Sequence, residues 1–255
     1  MSAATGARAQ DEARFTAVEF WSRDGLLITA DYYARDRPDA PVVILFHQSE
    51  ASRGEFRDIA PRLNEMGFHA LAVDLRWGGK DRWHRVDNET ARRNGTEALV
   101  AAIEGGRASP WPTIFQSYQD MEAALEWTRG KGLSGPRLVL GSSFSAILAF
   151  RMASEHEEVA AVLSFSPAEY FEKDTTMVRG WAEEMSVPVF IGAGVDEEGR
   201  VWPVYRALGS RRKEMILAPA GSHGASMLME DEAAWGAFAD FLRSLGREAG
   251  SVLRR

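Results

Sequence analysis

LVLGSSFSAILAF, residues 138–150, is the stretch on which this chain turns. A short β-forming run leads into a turn of small residues, and an apolar helical pattern follows. Gly141-Ser142-Ser143-Phe144-Ser145 comes close to G-x-S-x-G, the strand–turn–helix pattern that lifts a serine hydroxyl above the edge of a sheet. Its last glycine is replaced by Ser145, nearly as small as alanine. Ser143 is therefore either a nucleophile or only the N-cap of the helix that follows it. The flanking sequence has to decide between the two.

On either side of this stretch, strands and helices alternate. Phe15–Trp21 and Leu26–Tyr33 flank a Ser22-Arg23-Asp24-Gly25 turn and read as an antiparallel hairpin. PVVILFH (41–47) and FHALAVDL (68–75) are continuous apolar runs, suited to strands covered on both faces. Between them, 55–66 has helical period and stops at Gly67. Further strands are expected at Arg137–Leu140, Val159–Phe165, Pro188–Gly192 and Glu214–Ala218. Helices are expected at Ile114–Arg129, Ser143–Ser154, Met177–Met185, Val201–Leu208 and Glu232–Leu245. This rhythm predicts an α/β fold, an eight-stranded and mostly parallel sheet with helices on both faces. Residues 76–112 read as a long irregular loop, the kind that carries function. The short segment between Phe165 and Pro188 leaves no room for a large cap domain. Residues 1–13 read as a flexible tail before one domain, 14–255.

Composition excludes other classes. There is no cysteine, so disulfides, thiolate zinc sites and cysteine nucleophiles are ruled out. The net charge of −7 is spread along the chain without a basic block, which argues against nucleic acid or an anionic membrane as partner. No apolar run approaches the roughly 18 residues of a membrane-spanning helix, and the first residues lack the apolar middle of a signal peptide. The expectation is a cytoplasmic protein, with secretion left open.

A serine hydroxyl needs a base. Of the five histidines, His223 stands out. It lies in PAGSHGAS, after the last expected strand and before the last helix, on the same sheet edge as Ser143. A carboxylate should orient the ring. VFIGAGVDEEGR ends a strand with Asp196, the turn position and first choice, followed by Glu197 as the alternative acid. The order Ser143, Asp196, His223 is nucleophile, acid, base, one known order of the triad. An oxyanion hole needs two N–H donors. Phe144 N–H supplies one, and HQSEASRGEF, after strand 41–47, supplies the other through Ser49 N–H, with Gln48 beside it.

In these motifs the chain resembles the α/β-hydrolases over nearly its whole length. GSSFS resembles the nucleophile elbow, FHQSEASRGEF the oxyanion loop, VDLRWGG the segment after the fourth strand, and GAGVDEE with GSHG the acid and base loops. The missing cap is similar to the dienelactone-hydrolase-like branch, compact esterases and related hydrolases. The chain departs from it in Ser145 for glycine, in serine rather than cysteine as nucleophile, and in His47-Gln48 where His-Gly is common. The resemblance implies ester cleavage without dienelactone itself as substrate.

The expected activity is hydrolysis of a small-molecule carboxylic ester through an acyl-enzyme, with no cofactor and no metal. The same triad also serves thioester or peptide hydrolysis and acyl transfer. A non-catalytic ligand-binding protein on this fold is the alternative from another class. Arg76, at the end of strand 68–75, is a candidate for binding a substrate carboxylate, against the alternative of a structural ion pair. Trp77, Trp83 and Trp111 either pack the long loop or wall a pocket. Gln48 and Tyr170 complete the substrate-binding candidates.

Overall fold

Strand β3 (Val42–Phe46) explains the architecture in five residues, all buried. Val42, Ile44 and Phe46 enter one apolar cluster, whereas Val43 and Leu45 enter another on the opposite face. A strand covered on both sides has no need of polar residues, which is why it reads as a continuous apolar run. The computed structural model describes residues 15–171, 174 and 176–252. The expected tail, 1–13, lies outside the described residues.

Eight strands form one sheet. Besides β3 they are β1 (Thr16–Trp21), β2 (Leu27–Tyr33), β4 (His69–Val73), β5 (Arg137–Ser142), β6 (Val159–Phe165), β7 (Val189–Gly194) and β8 (Lys213–Ala218). Their spatial order is β1-β2-β4-β3-β5-β6-β7-β8. β1 and β2 pair antiparallel, as does β2 with β4, and every pairing from β4 to β8 is parallel. One cluster packs the sheet against helices at Trp111–Gly130, Phe144–Glu155, Met177–Glu183 and Glu198–Ala207. The other packs it against Ile59–Glu65 and Glu232–Val252. No separate cap domain is inserted among the described residues. Nor is any helix among them long and apolar enough to cross a membrane.

The structure departs from the sequence reading in the stretch 76–112. Far from being irregular, it holds helices at Glu89–Arg93 and Thr96–Glu104, and the next helix starts three residues early, at Trp111. Asn88 caps the first of these, its side chain accepting from Ala91 N–H at 2.7 Å. The expected helix 55–66 becomes helical only at Ile59, after a 3₁₀ turn at Arg53–Phe56 capped by Ser52.

Buried ion pairs fasten the loops to the sheet. Arg53 spans Asp31 on β2 and Asp74 after β4, and Asp74 also accepts Arg53 N–H and Glu89 N–H, both at 2.8 Å. Arg76 grips Asp120 through Nε and Nη2 and reaches Asp24 in the hairpin turn at 2.5 Å. Removing one member of such a pair leaves a buried charge uncompensated, at about 3–5 kcal/mol. Asp120→Ala is accordingly expected to lower the urea midpoint steeply, with Asp120→Asn less severe. An unchanged midpoint would show that Asp24 alone holds Arg76.

Candidate active site

The C-terminal ends of the parallel strands deliver the site. Ser143 follows β5 directly, with φ 58° and ψ −116°. A non-glycine residue held there stores strain, on the order of 1–3 kcal/mol. Ser143 N–H donates to Phe165 O at 2.8 Å and Ser143 O accepts from Ala146 N–H at 2.9 Å, so the turn is pinned from both sides. Gly141 is obligatory, since a Cβ there would collide with the Ser145 carbonyl and lie 2.6 Å from Ala146 Cα.

Ser145 resolves the missing glycine. It is fully buried, and its hydroxyl lies 2.8 Å from Phe46 O, at the end of β3, and 3.0 Å from Ser142 O, the acceptors open to its proton. The same oxygen accepts Ser142 N–H at 2.8 Å. The serine fits because its hydroxyl takes up backbone groups that a glycine would leave without a side-chain partner.

His223 lies in the loop after β8. Its Nε2 is 2.8 Å from Ser143 Oγ, and its Nδ1 is 2.6 Å from Glu197 Oε1. With Nδ1–H donating to the carboxylate, Nε2 is free to accept the serine proton. The acid meeting the ring is Glu197, the alternative of the sequence reading, not Asp196. Both sit in a 3₁₀ turn, Val195–Glu197, where successive side chains diverge by about 120°. Asp196 is exposed and accepts Gly221 N–H at 3.1 Å, whereas Glu197 is buried. Burial pushes the Glu197 carboxyl up, but hydrogen bonds from His223 and Ser166, the charge of His223 and Gly194 N–H outweigh it and hold the group below the usual glutamate range.

Ser166 opens SPAEYF (166–171), the segment after β6 that the sequence places on the site's opposite wall, but it is not among the expected site residues. It follows β6 with φ 55°, donates to Glu197 Oε2 at 2.5 Å and accepts Gly224 N–H at 2.9 Å. Acid and histidine loop thus share one hydroxyl. Tyr170 O–H donates to Ser166 O at 2.5 Å and also interacts with the Ser143 hydroxyl. Burial and the nearby Glu197 carboxylate push its phenol up to about 12, so it stays a neutral donor.

On the opposite side lies Gln48-Ser49. Among the described residues, neither Ser49 N–H nor Phe144 N–H joins a turn, loop or cap hydrogen bond to another backbone group. His47 fixes this loop. Fully buried and pushed down to about 4 by burial, it is neutral, facing Gln48 O through Nδ1 at 2.8 Å. Its Nε2 accepts from Leu75 N–H at 2.9 Å and Asn88 Nδ2 at 3.0 Å.

The remaining candidates separate by contact. Arg76 is 2% exposed and committed to Asp120 and Asp24, so it is a structural residue, not a free substrate ligand. Trp77 is packed in the core and donates Nε1–H to Ser49 Oγ at 3.1 Å, bracing the Gln48-Ser49 loop. Trp111 packs edge-on to Phe171. Trp83 alone of the three lines a groove of about 620 Å³, together with Gln48, Ser49, Lys80, Glu97 and Glu104. The groove abuts the site at Gln48 and Ser49, while Ser143 and His223 lie outside its walls.

The comparisons with known proteins agree with this architecture. The profile of a family described as serine aminopeptidase, S33, matches residues 37–198. A dienelactone hydrolase from Anabaena variabilis superposes with a TM-score of 0.67 at 16% identity, covering 92% of this chain and 97% of that one. An esterase from Pyrococcus furiosus gives 0.66 at 18% identity over 92% and 94%. Est1E from Butyrivibrio proteoclasticus gives 0.64 at 13% over 90% and 98%. At these identities the likeness is one of fold. Comparison with curated protein sequences returns no match.

The Ser145 contacts generate a test. Ser145→Ala removes the hydroxyl's contacts to Ser142 N–H and to the Phe46 and Ser142 carbonyls, at about 0.5–1.5 kcal/mol per hydrogen bond lost. Restoring the motif with Ser145→Gly should therefore lower the Tm rather than raise it. A more stable glycine variant would show that the hydroxyl contributes nothing.

Proposed function

This chain belongs to the serine aminopeptidase S33 family of α/β-hydrolases, and from that premise we propose that it is a serine hydrolase cleaving carboxylic esters. The observation carrying the proposal is the unbroken chain Ser143 Oγ–His223 Nε2, His223 Nδ1–Glu197, mounted on a strained turn. Ser143 attacks the ester carbonyl while His223 takes its proton, and Glu197 holds the tautomer and stabilises the imidazolium. Ser49 N–H and Phe144 N–H receive the oxyanion, the latter at the helix N-terminus, where negative charge is favoured. The alkoxide leaves with the proton from His223, and water activated by the same imidazole releases the acid.

Ester rather than amide specificity is supported by the esterase and dienelactone hydrolase neighbours, whereas the family description points towards peptide substrates. A panel of p-nitrophenyl esters against aminoacyl p-nitroanilides distinguishes the two. A fluorophosphonate probe should label Ser143 stoichiometrically in the wild type and not in His223→Ala. No labelling of the folded wild type would refute the proposal and favour a ligand-binding protein. Glu197→Gln should lower kcat by about 10²–10⁴-fold, with the wrong tautomer favoured, while Asp196→Asn stays within about twofold. The reverse ranking would return the acid role to Asp196.

A further inference from the structure

Glu55 is fully buried beneath the site, with no arginine or lysine in contact among the described residues. Its Oε2 accepts Gln48 N–H at 2.8 Å, and its Oε1 accepts the Ser142 hydroxyl at 2.7 Å. Ser142 Oγ in turn accepts Ala225 N–H at 2.8 Å. Gln48 precedes Ser49, Ser142 precedes Ser143, and Ala225 lies two residues after His223. One carboxylate therefore ties together the loops bearing the oxyanion donor, the nucleophile and the base. Packing around this node is tight. A Cβ at Gly224, whose φ is +68°, would collide with Ser142 Oγ and meet the Gln48 side chain at 3.4 Å.

We propose that Glu55 is a positioning residue for acyl transfer, a buried carboxylate that sets the distance between oxyanion donor, nucleophile and base by accepting from Gln48 and Ser142. The proposal rests on the serine-hydrolase reading of the site. Only the ionised carboxyl accepts both donors at once. Protonated at Oε1, it donates to Ser142 Oγ and turns that hydroxyl's own proton away. Protonated at Oε2, it confronts Gln48 N–H.

The groups facing Glu55 set where this happens. Burial raises its pKa, opposed by Gln48 N–H, by the Ser142 hydroxyl and by the positive charge of His223, while the Asp81 carboxylate across the 76–88 loop adds to the rise. The result is a carboxyl pushed up to about 7. His47, also at this sheet edge, is pushed down to about 4 and stays neutral there. Because the folded-state pKa is raised, the native state favours the protonated form. Its contribution to stability is present at acid pH and lost as pH rises through about 7. Glu55 thus costs stability in the pH range where the ionised form is needed.

That opposition makes a purely structural role distinguishable from a positioning one. The experiment compares wild type, Glu55→Gln and Ser142→Ala with p-nitrophenyl butyrate from pH 5.5 to 9, rates being normalised to fluorophosphonate-titrated Ser143. Glu55→Gln should lower kcat by about 10- to 100-fold with KM little changed, the scale expected when reacting groups lose alignment. It should also remove one ionisation from the acid limb and raise the Tm at pH 8. Ser142→Ala withdraws a hydrogen bond from the ionised form, so its acid limb should move to higher pH. A Glu55→Gln protein with wild-type kcat per titrated serine and an unaltered pH profile overturns the proposal, whatever its Tm. If that variant does not fold, an unmoved acid limb in Ser142→Ala overturns it instead. A wild type that neither labels nor turns over ester sinks the hydrolase reading, and this proposal with it.

Discussion

The backbone of Ser143 is the constraint on which the site depends. A residue at φ 58° between a strand and a helix is unfavourable by itself, so its surroundings must over-determine it. The Phe165 carbonyl holds the turn from β6, and the Ser145 hydroxyl holds it from β3. Gly141 admits the helix at a separation no side chain allows. What the strain achieves is exposure. The hydroxyl stands clear of the sheet edge, facing His223, with the Phe144 amide at the start of the helix beside it.

A second layer of hydroxyls extends this constraint outward. Ser142, Ser145 and Ser166 each bridge two segments that meet only in the folded chain. Small hydroxyl residues suit the task because they both donate and accept within a close-packed interior. Pairing matters there, since an unmatched polar group in low dielectric is costly. The serine-rich look of GSSFS is therefore structure on both sides of Ser143, with Ser142 facing one way and Ser145 the other.

Most of the fold was legible because its signals are local. Each apolar run became a strand within a residue or two, and the loops carrying Ser143, Glu197 and His223 follow β5, β7 and β8 along one sheet edge. What escaped depends on orientation. Asp196 and Glu197 are neighbours of the same charge, and only the 3₁₀ turn decides which faces His223. Ser166 and Glu55 bond to partners about 30 and 90 residues away in sequence, respectively, which no periodicity encodes. The helix at Thr96–Glu104 was missed although TEALVAAIE is strongly helix-forming and Gly95 and Gly105 bracket it.

Partners, rather than burial, separate the scaffold from the site. Asp31, Asp74 and Asp120 are all buried, and each faces an arginine. Those pairs join the hairpin and the long loop to the sheet, and Arg76 belongs with them despite its position at the C-terminal edge of the parallel strands. Glu55 and Glu197 are also buried, but Glu55 is held by a hydroxyl and a backbone amide, and Glu197 by Ser166, Gly194 N–H and His223, with Arg200 farther off at 3.7 Å. A carboxylate clamped by arginine has much of its charge offset by that partner. One held by hydroxyls and amides keeps its field, and under the proposed mechanism that field stabilises the imidazolium formed when His223 takes the Ser143 proton.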